Sequence, residues 1–330
     1  MAKITVYNVR DFEKPLYQEL NHDRFELKLM EEPLTADNVE TANGSVGVLI
    51  DGTTNADAEL LAALKGLGIK YCFTRFVGYN NIDLDAASAR DIMVARVPSY
   101  SPYSVAELAL TLGLDLVRHV TEATDNTNQG DFLLHQGYFA NEIDHLTVGI
   151  IGVGHMGAAE AKLWHNLGAE VLGYQRTPND NPDVDFVSLN ELLMQSDIVS
   201  IHVPYFPGEN DLMIGAIEIG NMKNQAVLVN TARGELIDTA AVADALADGN
   251  LAGYAADVIP DENAIDGKQF DSLDDIPDPE LLSLMKHYPN VIITPHMGYD
   301  TEPATKDMIK VSLQNFQDAI DTGETENQIK

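Results

Sequence analysis

The chain has 330 residues, 45% apolar and only 7% aromatic, with 52 acidic against 20 basic residues and a formal net charge of −32. That charge excludes nucleic acid and anionic lipid as principal partners, and no apolar run approaches the roughly 18 residues that span a bilayer. The length allows two domains with sizeable cores. The single cysteine, Cys72, excludes an intramolecular disulfide and a cysteine-based zinc site, and its apolar neighbours predict an inert core residue. No metal is implied. The N-terminus runs directly into a strand pattern, so a cytoplasmic protein without a signal peptide is expected. The acidity fits either a well-solvated surface or adaptation to a salty or acidified interior.

In chain order, residues 4–7, 45–50 and 69–74 read as strands and 57–67 as a helix, a small α/β domain with no phosphate-binding turn of its own. The loop 74–83, Thr-Arg-Phe-Val-Gly-Tyr-Asn-Asn-Ile-Asp, follows a buried strand, where ligands bind in open α/β sheets. Pro98 and Pro102 then break the chain. A helix is expected over 104–120, with Ser104 as N-cap and Glu107 in the capping-box position. Leucines at 108, 110, 112, 114 and 116 make it apolar all round, hence buried between domains or against another subunit. Residues 121–144 read as an irregular polar arm.

Residues 147–176 carry the organising motif. An apolar strand, Val148-Gly149-Ile150-Ile151, enters a G-x-G-x-x-G turn at Gly152, Gly154 and Gly157, and a helix then leads to Gly168 and a second strand ending at Tyr174. This is a complete βαβ unit with the dinucleotide fingerprint. Gly152 makes the tight turn, Gly154 admits the pyrophosphate, Gly157 lets helix and strand pack, and the helix N-terminus offers N–H groups to the phosphates. Further alternation follows, with helices over 189–195, 216–222 and 240–248, and strands over 198–203, 226–230, 251–258 and 291–294. That pattern implies a doubly wound parallel sheet. A last helix, 303–321, precedes a polar tail. Arg233, Glu262 and His296 each follow one of these strands, so a cation, a carboxylate and an imidazole converge on the sheet edge where an anionic substrate could be held and a proton moved.

With those residues in view, the chain resembles the D-isomer-specific 2-hydroxyacid dehydrogenases, in the branch of D-lactate and D-2-hydroxyisocaproate dehydrogenases. The likeness rests on Gly154-His155-Met156-Gly157, His202-Val203-Pro204, Asn230-Thr231-Ala232-Arg233-Gly234, Asp257-Val258, Pro295-His296, Val77-Gly78 with Asn81-Ile82-Asp83, and Tyr100-Ser101-Pro102. It implies an α/β chain of two Rossmann-like domains: a doubly wound dinucleotide-binding domain, 100–297, inserted in a smaller flavodoxin-like substrate domain, 1–99 with 298–330. It implies that Arg233 binds the substrate carboxylate and 2-oxo group, that His296 donates the proton and that Glu262 pairs with His296. Thr231, Ala232 and Asp257 would line the nicotinamide, His155 and Met156 the pyrophosphate turn, and Val203, Pro204 and Asn210 the adenosine side. Val77, Gly78, Tyr100 and Tyr299 would complete the substrate pocket, the small domain closing over it, and the subunits would form a homodimer through the 104–120 helix and the arm.

Two departures stand out. The branch pattern Asp-Val-Tyr-Glu-x-Glu is here Asp257-Val258-Ile259-Pro260-Asp261-Glu262, and the aromatic pair after the histidine is Tyr299-Asp300. At the end of the second fingerprint strand, where NAD-specific enzymes carry an acidic residue on the ribose hydroxyls, this chain has Gln175, followed by Arg176 and Thr177. An amide removes the repulsion of a 2′-phosphate, and the guanidinium and hydroxyl can bind one. NADP(H) is therefore the expected preference, with NAD(H) possible. The reaction implied is reversible reduction of a 2-oxoacid to a D-2-hydroxyacid. The alternative from another class is a co-repressor-like regulator that senses NAD(H) on the same fold.

Overall fold

The structure is a computed structural model and describes residues 1–329, Asn263 excepted. The chain divides into two compact units, Met1–Ser101 with Asp300–Lys330, and Pro102–Tyr299. Tyr100 and Ser101 thus belong to the first unit, and Gly298 and Tyr299 to the second. Each boundary falls about two residues from the position expected from sequence.

The first unit begins with β1 (Lys3–Val6), α1 (Lys14–Asn21), β2 (Glu26–Leu29), β3 (Gly47–Ile50) and α2 (Ala58–Gly66). It continues through β4 (Tyr71–Thr74), α3 (Leu84–Ser88) and β5 (Met93–Ala95). Asp57 starts α2 as its N-cap, accepting from the Glu59 and Leu60 N–H groups. The second unit runs α4 (Pro102–Arg118), α5 (Val120–Asn128), β6 (Thr147–Ile151), α6 (His155–Leu167), β7 (Glu170–Tyr174), β8 (Asp185–Phe186), α7 (Leu189–Gln195) and β9 (Ile198–Ile201). After these come α8 (Ala216–Gly220), β10 (Ala226–Asn230), α9 (Thr239–Ala247), β11 (Leu251–Ala256), α10 (Pro279–Met285) and β12 (Val291–Ile293). The chain then returns to the first unit as α11 (Glu302–Thr322) and β13 (Gln328–Ile329).

The first sheet has the order β13-β5-β4-β3-β1-β2, parallel except for β13. The second, β12-β11-β10-β9-β6-β7-β8, is parallel throughout. Its strand order reverses between β6 and β9, which opens a crevice at their carboxyl ends. Central strands of a parallel sheet are buried on both faces, and β10, Ala-Val-Leu-Val-Asn, is buried at every residue. Apolar cores cover both faces of each sheet, one beneath Ile214, Leu236 and Leu284 and the other around Trp164, Leu112 and Val148 in the second unit.

Three expectations are corrected. Helix α4 starts at Pro102, so Ser104 lies inside the first turn; its hydroxyl donates to the Gly298 carbonyl at 2.5 Å instead of capping. The arm contains helix α5 before its irregular part. The polar tail ends in β13, which pairs antiparallel with β5.

Candidate active site

Parallel strands deliver their carboxyl ends to one edge of the second sheet. Gly152 follows β6, Val203 follows β9, Arg233 follows β10, Glu262 lies beyond β11, and His296 follows β12. Two loops are locked before any ligand arrives. The Asn230 side chain accepts from the Ala232 N–H at 3.0 Å and donates to the Arg233 carbonyl at 2.8 Å, which fixes the turn carrying Arg233. Asp257, only 2% exposed, accepts from Thr294 Oγ1 at 2.6 Å and from the N–H groups of Met297 at 2.8 Å and Gly298 at 2.7 Å, which fixes the turn carrying His296. Burial raises the Asp257 pKa, against the lowering effect of these bonds and of His296. Its carboxylate is therefore committed to the His296 loop, which the sequence did not reveal when it placed Asp257 beside the nicotinamide.

Glu262 uses both oxygens. Oε1 accepts from the Ile259 N–H at 2.9 Å and shapes its own loop, while Oε2 lies 2.8 Å from His296 Nδ1. Burial lowers the His296 pKa, but the hydrogen bond and charge of Glu262, with Asp257 behind, outweigh it and the opposing Arg233 charge, so the net shift is upward. Both loops carry a left-handed non-glycine residue, His296 at φ 49° and Asp261 at φ 51°. Such strain persists where the surroundings over-determine it. Arg233 is half-buried and close enough for its charge to act on His296. Gly234 explains how the loops meet. A Cβ there would stand 1.9 Å from the Ile259 carbonyl carbon and 2.1 Å from the Pro260 nitrogen. Pro260 thus occupies a point of backbone contact, and it brings no N–H to be left unpaired there.

Tyr299 is in the same unit, its ring edge-on to the His296 ring with centroids 6.3 Å apart. Val77, Gly78 and Tyr100 are in the first unit. There the Val77 carbonyl accepts from Arg96 at 2.9 Å, and Asn81 braces the loop by donating to the carbonyls of Asp51 and Thr54.

Gly152, Gly154, Gln175, Arg176, Val203 and Asn210 border one cavity of about 520 Å³, together with Pro204. Its residues fit a dinucleotide. Gly152 has φ 96°, and a Cβ on Gly157 would stand 2.1 Å from the Gly152 oxygen, so both glycines are required by the turn. A Cβ on Gly154 would meet nothing within 4 Å, leaving free space above an α6 N-terminus that has no side-chain cap. His155 and Met156 are the first two residues of that helix. Gln175 donates to the Thr177 carbonyl at 2.6 Å, and Asn210 folds its own loop by bonding the Pro204 carbonyl and the Phe206 N–H. Arg176 is exposed and makes no ion pair among the described residues. The Thr231 hydroxyl, on a residue 9% exposed after β10, has no partner among the described residues, as expected of a group held for a ligand.

Comparison with known proteins gives the family. Residues 110–298 match the family model for the D-isomer specific 2-hydroxyacid dehydrogenase, NAD binding domain. This chain belongs to the D-isomer-specific 2-hydroxyacid dehydrogenase family. It is 37% identical over 325 residues to a 2-hydroxyacid dehydrogenase homolog of Zymomonas mobilis, covering 96% of each chain. It is 35% identical to the D-2-hydroxyacid dehydrogenase (NAD+) of Lacticaseibacillus paracasei, over 99% of this chain and 98% of that one. Among solved structures, a D-lactate dehydrogenase from Treponema pallidum superposes with TM-score 0.91 at 32% identity, covering 99% of both. The chain is thus an oxidoreductase of the D-2-hydroxyacid class, with an NAD-binding domain of the Rossmann type. No described helix is long and apolar enough to cross a membrane.

Proposed function

We propose that this dehydrogenase reduces small or medium 2-oxoacids with Arg233, Glu262 and His296 as its catalytic residues, and that it prefers NADP(H). The observation that carries the catalytic reading is the 2.8 Å contact of Glu262 with His296 Nδ1 beside Arg233, at neighbouring strand ends. The Arg233 guanidinium holds the substrate carboxylate and draws electron density from the 2-oxo group. His296 is anchored through Nδ1, which leaves Nε2–H free to give its proton to the carbonyl oxygen, and Glu262 stabilises the imidazolium before transfer. When bound, the reduced nicotinamide supplies the hydride for the carbonyl carbon. In the oxidative direction His296 takes the proton back. A regulator that senses a dinucleotide has no use for this proton-handling set, which favours the enzyme reading. Absorbance assays with a panel of 2-oxoacids test it: His296→Asn should lose at least about a hundredfold in kcat. Retained turnover would remove His296 from the mechanism.

The cofactor preference is supported by the neutral Gln175 and by Arg176, free of ion pairs among the described residues, on the wall of the cavity that contains the fingerprint glycines. Arg176→Ala should cost about tenfold or more in kcat/KM for NADPH and little for NADH. A wild-type preference for NADH, or equal losses with both, would show that Arg176 does not read a phosphate. A homodimer is supported by Leu108, Leu110 and Leu114, partly exposed on α4, and by Phe132, Leu134 and Phe139 on the arm, all at least 80% exposed.

A further inference from the structure

Beneath the cofactor cavity is a polar cluster in an otherwise apolar layer. Ser200 and His202 are two residues apart on and just after β9 and so face the same side. Opposite them, Glu160 and Trp164 are one turn apart on the inner face of α6. Glu160, Trp164 and Ser200 are fully buried, and the His202 side chain is 1% exposed. The Trp164 indole N–H donates to Glu160 Oε1 at 2.9 Å, the Ser200 hydroxyl donates to Oε2 at 2.7 Å, and His202 Nε2 bonds the same Oε2. One carboxylate therefore joins three side chains from two elements.

Apolar residues of similar volume would fill this layer at no loss of stability, so the position of the cluster matters more than its strength. His202 borders the cofactor cavity. Its backbone N–H donates to the Ile151 carbonyl at 2.8 Å, and its carbonyl carbon lies 2.9 Å from where a Cβ on Gly152 would stand. Glu160 is itself on the helix whose N-terminus faces the fingerprint turn. The carboxylate thus ties both walls of the turn to each other from below.

We infer that Glu160 is a positioning residue for the dinucleotide: it clamps α6 to the end of β9 and, through the buried His202 ring, fixes the His202 backbone that borders the cavity. This rests on the reading of the cavity as the dinucleotide site. Glu160→Gln puts an amide N–H₂ among donors and frees the ring, so the turn loses its fixed shape while the layer keeps its volume.

Trp164 is the only tryptophan in the chain, so its fluorescence and its single indole N–H resonance report on the cluster directly. In the wild type that resonance should move when NADPH or NADH saturates the enzyme. Folded Glu160→Gln should bind the dinucleotide about tenfold more weakly, with kcat at saturating cofactor and KM for the 2-oxoacid within about twofold of wild type. Equal dissociation constants in the two proteins would overturn the inference, as would a loss confined to kcat. An unmoved indole resonance in saturated wild type would overturn it too, whether or not the variant folds. If the wild type binds neither dinucleotide, the cofactor reading itself fails, and the inference with it.

Discussion

His296 is held in a left-handed turn by two carboxylates that act differently. Asp257 grips the chain on either side of the ring, through the Thr294 hydroxyl before it and the Met297 and Gly298 N–H groups after it, and Glu262 grips the ring itself. Because Glu262 raises the His296 pKa and the proposed reduction needs the protonated ring, reduction should decline as pH rises through that raised value. Removing the charge in Glu262→Gln lowers the His296 pKa, so the alkaline limb of the kcat/KM profile should move to lower pH. A limb that stays in place would mean that the pair does not set the proton donor. Arg233→Lys keeps the charge and loses the planar fork, so KM for the 2-oxoacid should rise by about tenfold or more. The convergence of Arg233, Glu262 and His296 was legible because each follows an apolar run that ends at the same sheet edge. The task of Asp257 was not, since the Thr294, Met297 and Gly298 groups it binds are about forty residues away in sequence. Glu160 was not legible either, because a glutamate in a helix is ordinarily solvated.

At the scale of elements, the βαβ unit separates two kinds of glycine. A methyl group at Gly157 would collide with the Gly152 carbonyl oxygen at 2.1 Å, whereas one at Gly154 would enter open space. Gly157→Ala should lower the thermal midpoint, with overpacking costing about 1–3 kcal/mol. Gly154→Ala should leave the midpoint unchanged but raise KM for the dinucleotide about tenfold or more, since its methyl group occupies the phosphate approach. Calorimetry and cofactor titration on the two variants check this, and a Gly154→Ala enzyme with normal cofactor KM would contradict the pyrophosphate assignment. The long apolar strands and the fingerprint were readable from periodicity. The two-residue strands β8 and β13, and helix α5 with no buried residue, were not, because such segments carry too little apolar pattern to stand out from loops.

For the whole molecule, a surplus of 32 negative charges stores self-repulsion that salt screens over about 10 Å at 0.1 M. The thermal midpoint should therefore rise between about 0.05 and 0.5 M NaCl; a flat or falling midpoint would show that the acidic surface is not under net strain. Light scattering should give twice the 36.0 kDa chain mass, and a monomer would remove the case for pairing through α4 and the arm. The doubly wound architecture was implied by resemblance and holds in the structure, although propensity alone could not have set the order of the strands within the two sheets. The configuration of the product is set by the side from which hydride reaches the substrate carbon. Chiral analysis of the product formed from pyruvate or phenylpyruvate measures this directly: it should be the D-2-hydroxyacid, and predominantly L product, or no turnover with any 2-oxoacid, would contradict it.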